Sequence, residues 1–92
     1  MSQERIRRRV KVWGHVQGVL FRSSAQETAV SWGVEGWIRN LPDGSVEAVF
    51  EGESDGVQAL VAFCHRGSRW AKVERIEVVE EAPEGIGGFE VL

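Results

Sequence analysis

The chain has no tyrosine, a single cysteine, a single methionine and two prolines among its 92 residues, and no apolar run long enough to span a bilayer. Each scarcity excludes a class of protein. With Cys64 alone no disulfide can close within the chain, and no cysteine–histidine spacing suited to zinc exists. Nothing resembles a secretory signal, so the expected setting is reducing and cytoplasmic, with no membrane partner. There is no GxxxxGK[ST] phosphate loop, no internal repeat, no linker and no low-complexity segment.

What is present describes one globular domain over residues 1–92. A hydrophobic share of 42% beside 27% charged residues suits a chain that buries a core, and the length allows a single one. The net charge of -3 hides an asymmetry: residues 1–40 hold seven Lys and Arg against three acids, and the remainder hold four against eleven. Arg5, Arg7, Arg8, Arg9 and Lys11 crowd the first strand pattern. The acidic remainder argues against a dedicated nucleic-acid binder, which leaves a solvated strand edge as the expectation for this cluster.

Hydrophobic periodicity divides the chain into six main elements. Ile6 to Gly14 reads as a half-buried strand, with Ile6, Val10 and Val12 on one face. Residues 22–32 read as a helix with Ala25, Ala29 and Trp32 inward, Ser23 or Ser24 as its cap and Gly33 as its stop. Strands over Glu35–Leu41 and Ser45–Glu51 flank the turn-forming Pro42-Asp43-Gly44, with Val46, Ala48 and Phe50 on one face. A second helix opens at Ser54, places Val57, Leu60, Val61 and Cys64 inward and closes at Gly67. Val73–Glu80 forms a strand with Ile76 and Val78 as its core pair, and Phe89-Glu90-Val91 is a candidate short fifth strand. The order βαββαβ calls for an α+β fold of the ferredoxin-like split β-α-β type, a four-stranded antiparallel sheet with two helices on one face.

Chemistry concentrates where the first strand meets the first helix. Gly14 and Gly18 bracket a loop that ends in Arg22, so converging backbone amides, a helix N-terminus and a guanidinium fork fall together. That combination suits a phosphate-sized anion, and the pattern alone equally admits a tight turn with a surface arginine. Asn40 precedes the Pro-Asp-Gly turn, where it is either a turn residue or an amide able to position water. Cys64 reads as a buried, inert thiol, and His65 as an exposed neighbour that cannot face it. His15 lies within the loop but lacks an evident proton-transfer partner. Trp13 and Trp37 share the open side of the sheet in this arrangement.

The strings Gly14-His15-Val16-Gln17-Gly18-Val19-Leu20-Phe21-Arg22, Gly33-Val34-Glu35-Gly36-Trp37-Ile38-Arg39-Asn40 and Asp43-Gly44-Ser45-Val46 resemble the acylphosphatase family, and the likeness reaches the terminal Phe89-Glu90-Val91. The resemblance implies the same ferredoxin-like fold and hydrolysis of small acyl phosphates to carboxylate and inorganic phosphate. It implies that Arg22 binds phosphate, that Asn40 positions water, and that His15, Val16, Gln17, Gly18, Val19, Leu20 and Phe21 form the phosphate cradle. No cofactor, no metal, no nucleic-acid partner and a monomeric state are the corresponding expectations. The competing class is a non-catalytic ferredoxin-like module that binds phosphate, a carbamoyl phosphate-like ligand, or RNA across its open sheet face. The chain departs from the family at Gly67-Ser68, where Gly-Pro is frequent, and at Ser31-Trp32. Neither departure is expected to touch the site.

Overall fold

The computed structural model describes residues 4–92. Its elements are β1 (Arg5–His15), α1 (Phe21–Trp32), β2 (Glu35–Asn40), β3 (Val46–Glu53), α2 (Ser54–Arg66), β4 (Lys72–Glu81) and β5 (Phe89–Val91). The strands form one sheet in the order β4-β1-β3-β2-β5, in which β4-β1-β3-β2 are antiparallel neighbours. This is the expected split arrangement. The fifth strand is present and runs parallel to β2, pairing Gly36 with Phe89 and Ile38 with Val91, so the whole sheet is mixed. No helix among the described residues is long and apolar enough to cross a membrane.

One core lies between the helices and the sheet. Val10 and Val12 of β1, Ile38 of β2, and Val46, Ala48 and Phe50 of β3 meet Phe21, Ala25 and Ala29 of α1 and Val57, Leu60 and Cys64 of α2. Phe21, the first residue of α1, meets Phe63 of α2 edge to face with centroids 5.3 Å apart, which fixes the start of α1 against the second helix. Burial pushes the Cys64 thiol up to about 12, the inert thiol expected there.

Four expectations need correction. The arginines of β1 do not lie on a solvated edge, because β1 is an interior strand between β4 and β3. On the sheet's helix-free face Arg7 is 4% exposed and bonds Glu81 (2.8 Å) and Glu51 (3.2 Å), while Arg9 bonds Glu81 and Glu47. Trp37 takes the Arg9 and Arg39 guanidiniums on its ring, and Trp13 the Lys11 ammonium and the Arg75 guanidinium, as cation–π contacts of the same open side. Neither Ser23 nor Ser24 caps α1: the helix begins one residue earlier, after Leu20 in the left-handed region (φ 62°, ψ 23°) with no side-chain cap. Val78 is 42% exposed because β4 is an outer strand that the helices only partly cover. Trp32 is also exposed; its Cβ lies against Gly56 at the end of α1 while the ring extends outward.

Glu51 is the most demanding residue of the fold. Its fully buried carboxylate accepts from Arg7, from the backbone amide of Glu84 (2.8 Å) and from that of Gly85 (2.6 Å). Burial alone would raise this carboxyl, but the two amides and the Arg7 guanidinium prevail and hold it below the usual carboxylate range. A lowered folded-state value means that the unfolded chain binds the proton more readily. The stabilisation is therefore complete above the ordinary glutamate value of about 4.3 and is lost as pH falls through the lower folded one. Glu51→Gln should cost about 3 kcal/mol at neutral pH and flatten the acid limb of stability against pH. Denaturant unfolding of both proteins between neutral and acid pH measures this, and an acid limb equally steep in the variant would place the effect on other carboxylates.

Candidate active site

Between the end of β1 and the start of α1 the chain alternates its anchors. Val16 and Val19 are buried in the core, while Gly18 and Leu20 face outward, Leu20 with 68% of its surface exposed. Gly18 (φ 73°) and Leu20 (φ 62°) both occupy the left-handed region, and Leu20 is the only non-glycine residue to do so among the described residues. For glycine this conformation is free, whereas for leucine it costs about 1 kcal/mol. The first helical hydrogen bond runs from the Ser24 amide to the Leu20 carbonyl at 3.0 Å. Among the described residues the amides of 17–23 donate to no protein acceptor outside regular helix and strand bonding, so the loop and the first turn of α1 present a run of unpaired N–H groups.

Five residues of this run border a cavity of about 330 Å³, lined by Gly18, Leu20, Phe21, Arg22 and Ser23 together with Val16 and Val91. The first turn of α1 carries no acidic residue, so nothing there offsets the positive end of the helix. The Arg22 Nη1 donates to the Leu92 carbonyl oxygen at 2.7 Å, which orients the guanidinium while leaving its other donors available. Arg22 makes no ion pair with an Asp or Glu side chain among the described residues. Arranged this way, the site can hold a dianionic group and stabilise charge that develops on it.

Asn40 stands on the exposed end of β2, outside the cavity wall. It is two residues beyond buried Ile38, so strand alternation sets it on the helix side of the sheet, the side from which α1 starts. Gln17 links the two regions: its Nε2 donates to the carbonyls of Leu41 (2.8 Å) and Ser45 (2.9 Å), tying the loop to the turn that follows Asn40. The turn itself is closed by Asp43, whose Oδ1 accepts from the Ser45 amide at 2.9 Å. His15 is exposed at the end of β1 and, with Gln17 and Val19, lies outside the cavity wall.

The two bracketing glycines prove to have different tasks. A Cβ on Gly14 would fall 2.1 Å from the Lys72 carbonyl oxygen, at a β-bulge where β1 shifts register against β4. Gly14 therefore serves the sheet. A Cβ on Gly18 would meet nothing within 4 Å, and Gly18 lines the cavity. Three features escaped sequence reasoning: Val91 and Ser23 in the wall, and Ser68, whose Oγ donates to the Val19 carbonyl at 2.6 Å. The expectation that the Gly67-Ser68 segment stays clear of the site is thus wrong, and no spacing rule could have linked positions 49 residues apart. Among the described residues no three His, Cys, Asp or Glu side chains come together as a metal donor set.

A family model for acylphosphatase matches residues 8–91. The acylphosphatase of Thermococcus kodakarensis is 49% identical over 89 residues, covering 97% of this chain and 98% of that protein. The acylphosphatase of Haloarcula marismortui is 55% identical over 85 residues, covering 92% and 93% respectively. The crystal structure of acylphosphatase from Bacillus subtilis superposes with a TM-score of 0.90 at 36% identity, over 95% of this chain and 98% of that one.

The division of labour between the glycines is measurable by unfolding. Gly14→Ala should cost about 3 kcal/mol or more, since backbone must move to admit the methyl. Gly18→Ala should cost only about 1 kcal/mol, the penalty of a left-handed alanine in open space. Equal losses in the two variants would contradict the assignment.

Proposed function

The chain belongs to the acylphosphatase family, and from that premise we propose that the cavity at the start of α1 hydrolyses carboxyl–phosphate anhydrides by attack of water at phosphorus, without metal or covalent intermediate. The observation that carries this reading is the run of unpaired amides over residues 17–23 beside an arginine that pairs with no Asp or Glu side chain among the described residues. Arg22 and the loop amides hold the phosphoryl oxygens. Asn40, near the turn that Gln17 ties to the loop, aligns the attacking water by accepting from it. The new P–O bond forms to that water as the bond from phosphorus to the carboxyl oxygen breaks. Carboxylate leaves without needing a proton, and the proton of the water passes to a phosphate oxygen, because an amide cannot take it. Catalysis is then positioning and charge stabilisation, which the site is equipped to give.

Purified protein should hydrolyse a simple aromatic acyl phosphate in the presence of chelator, and water labelled with heavy oxygen should deliver the label to phosphate alone. Label in the carboxylate would place attack at carbon. Arg22→Ala should lose phosphate binding and turnover together, with poor rescue by Arg22→Lys, because a point charge cannot make a forked contact. Asn40→Ala should lower kcat by about a hundredfold with little change in KM. Full activity in that variant would remove Asn40 from the mechanism, and absence of turnover in well-folded protein would leave the cavity as an anion-binding site only.

A further inference from the structure

We infer that Ser68 is a positioning residue for the anion seat: its hydroxyl holds the peptide between Val19 and Leu20 in the orientation that turns the Leu20 N–H toward the cavity. The inference rests on the reading of this loop as a phosphate cradle.

Ser68 lies just beyond α2, in a tight turn where its own carbonyl accepts from the Ala71 amide at 3.0 Å, and its side chain is nearly buried. It is absent from the cavity wall and approaches the loop from behind. A carbonyl can only accept, so in the 2.6 Å contact the Ser68 hydroxyl commits its hydrogen to the Val19 oxygen. In a trans peptide the C=O and N–H point in opposite directions. With the Val19 oxygen fixed on the Ser68 side, the Leu20 N–H must face away from Ser68, toward the side where Gly18, Leu20 and Arg22 line the cavity.

The backbone at Leu20 shows why a hold is needed. Rotating the 19–20 peptide by half a turn changes chiefly ψ of residue 19 and φ of residue 20, and would return Leu20 from its positive φ to the ordinary negative range. Left to itself, a leucine favours the flipped peptide. No side chain caps α1 here, and Val19 is packed into the core, so its carbonyl also needs a partner away from water. One hydroxyl meets both requirements: it satisfies that carbonyl and stabilises the strained conformer in which the neighbouring amide is aimed at the ligand.

The test compares Ser68→Ala, Ser68→Thr and Arg22→Ala with the parent protein, using inorganic phosphate titrations followed by amide NMR shifts, which read weak dissociation constants. Ser68→Ala should weaken phosphate by about tenfold or more, the worth of roughly one hydrogen bond to a charged group. The Leu20 amide should lose most of its phosphate-induced shift while the Arg22 amide keeps its own. Ser68→Thr, which retains the hydroxyl, should restore both. Thermal unfolding confirms that each protein is folded at the temperature of titration, so a loss of stability alone cannot produce the pattern. Unchanged phosphate affinity in Ser68→Ala, or an unchanged Leu20 response, overturns the inference while Arg22→Ala still weakens binding. If Arg22→Ala itself leaves phosphate binding intact, the anion seat and the inference both fail.

Discussion

A carboxylate with no access to water sets the terms for one end of this molecule. Glu51 sits in the middle strand of the sheet, and an ionised group there is tolerable only with a full set of donors. Arg7 supplies a charge from β1, and the chain returning from β4 supplies the amides of Glu84 and Gly85. The second contribution has consequences at the other end of the sheet. The 82–88 segment must cross beneath β1 and β3 to present those amides, and it leaves the crossing beside β2, where Gly36 donates to the Gly88 carbonyl and β5 begins. Running parallel to β2, β5 carries Val91 into the cavity wall and the Leu92 carbonyl to Arg22. A demand for hydrogen bonds at the base of the sheet is thereby connected, through covalent chain and strand pairing, to the orientation of the guanidinium at its top.

The site obeys the complementary rule. Its backbone donors have no partner among the described residues, while the Val19 and Leu20 carbonyls are taken by neighbouring groups. Ser68 holds the Val19 carbonyl, the Ser24 amide and the Ser23 hydroxyl both take the Leu20 carbonyl, and Gln17 spends its amide on the β2–β3 turn. Val16 and Val19 nail the loop to the core between these contacts. These two carbonyls are engaged within the protein, and the N–H groups of 17–23 are left without a partner among the described residues. Such a loop need not reorganise when charge arrives, which is the condition under which fixed dipoles stabilise a transition state most. The cost is visible at Leu20, a leucine in a glycine's conformation.

Local sequence foretold what local physics decides. The apolar face of α2 at Val57, Leu60 and Cys64, the Pro42-Asp43-Gly44 turn and the inward row Val46, Ala48 and Phe50 all stand where periodicity and turn chemistry put them. The order of elements was enough to fix the interleaved sheet, because few arrangements let two helices cover one face. Features that depend on distant partners were illegible. Arg7 looks like any charged residue of a strand until Glu51 and Glu81 arrive from strands 44 and 74 positions away. Gly14 looks like a loop glycine until the Lys72 carbonyl is seen in the space its side chain would fill. The caps at Ser23 and Ser24 failed for a subtler reason: Phe21 is drawn into the core against Phe63, so the helix starts earlier and Leu20 takes the cap position without a capping side chain.

The proposed function asks an acidic chain to seat an anion, and the distribution of ion pairs bears on how it could. The cations of the sheet face are spent in place: Arg5 with Glu35, Arg7 with Glu51 and Glu81, Arg9 with Glu47 and Glu81, Arg39 with Glu47, and Arg75 with Glu77. The acids that face them are largely spent in the same pairs, whereas Glu27, Glu53, Asp55, Glu74 and Glu90 form no ion pair among the described residues and are spread over both helices and three strands. Arg22 lies outside these side-chain pairs, oriented by the main-chain oxygen of Leu92 beside a helix start free of acids. At physiological salt a charge is felt over about 8 Å, so a ligand in the cavity senses this guanidinium and the helix end far more than the net charge of the protein. The sign of the site is thus set locally, by Arg22 and the acid-free helix start, and the count of charges along the chain says little about it.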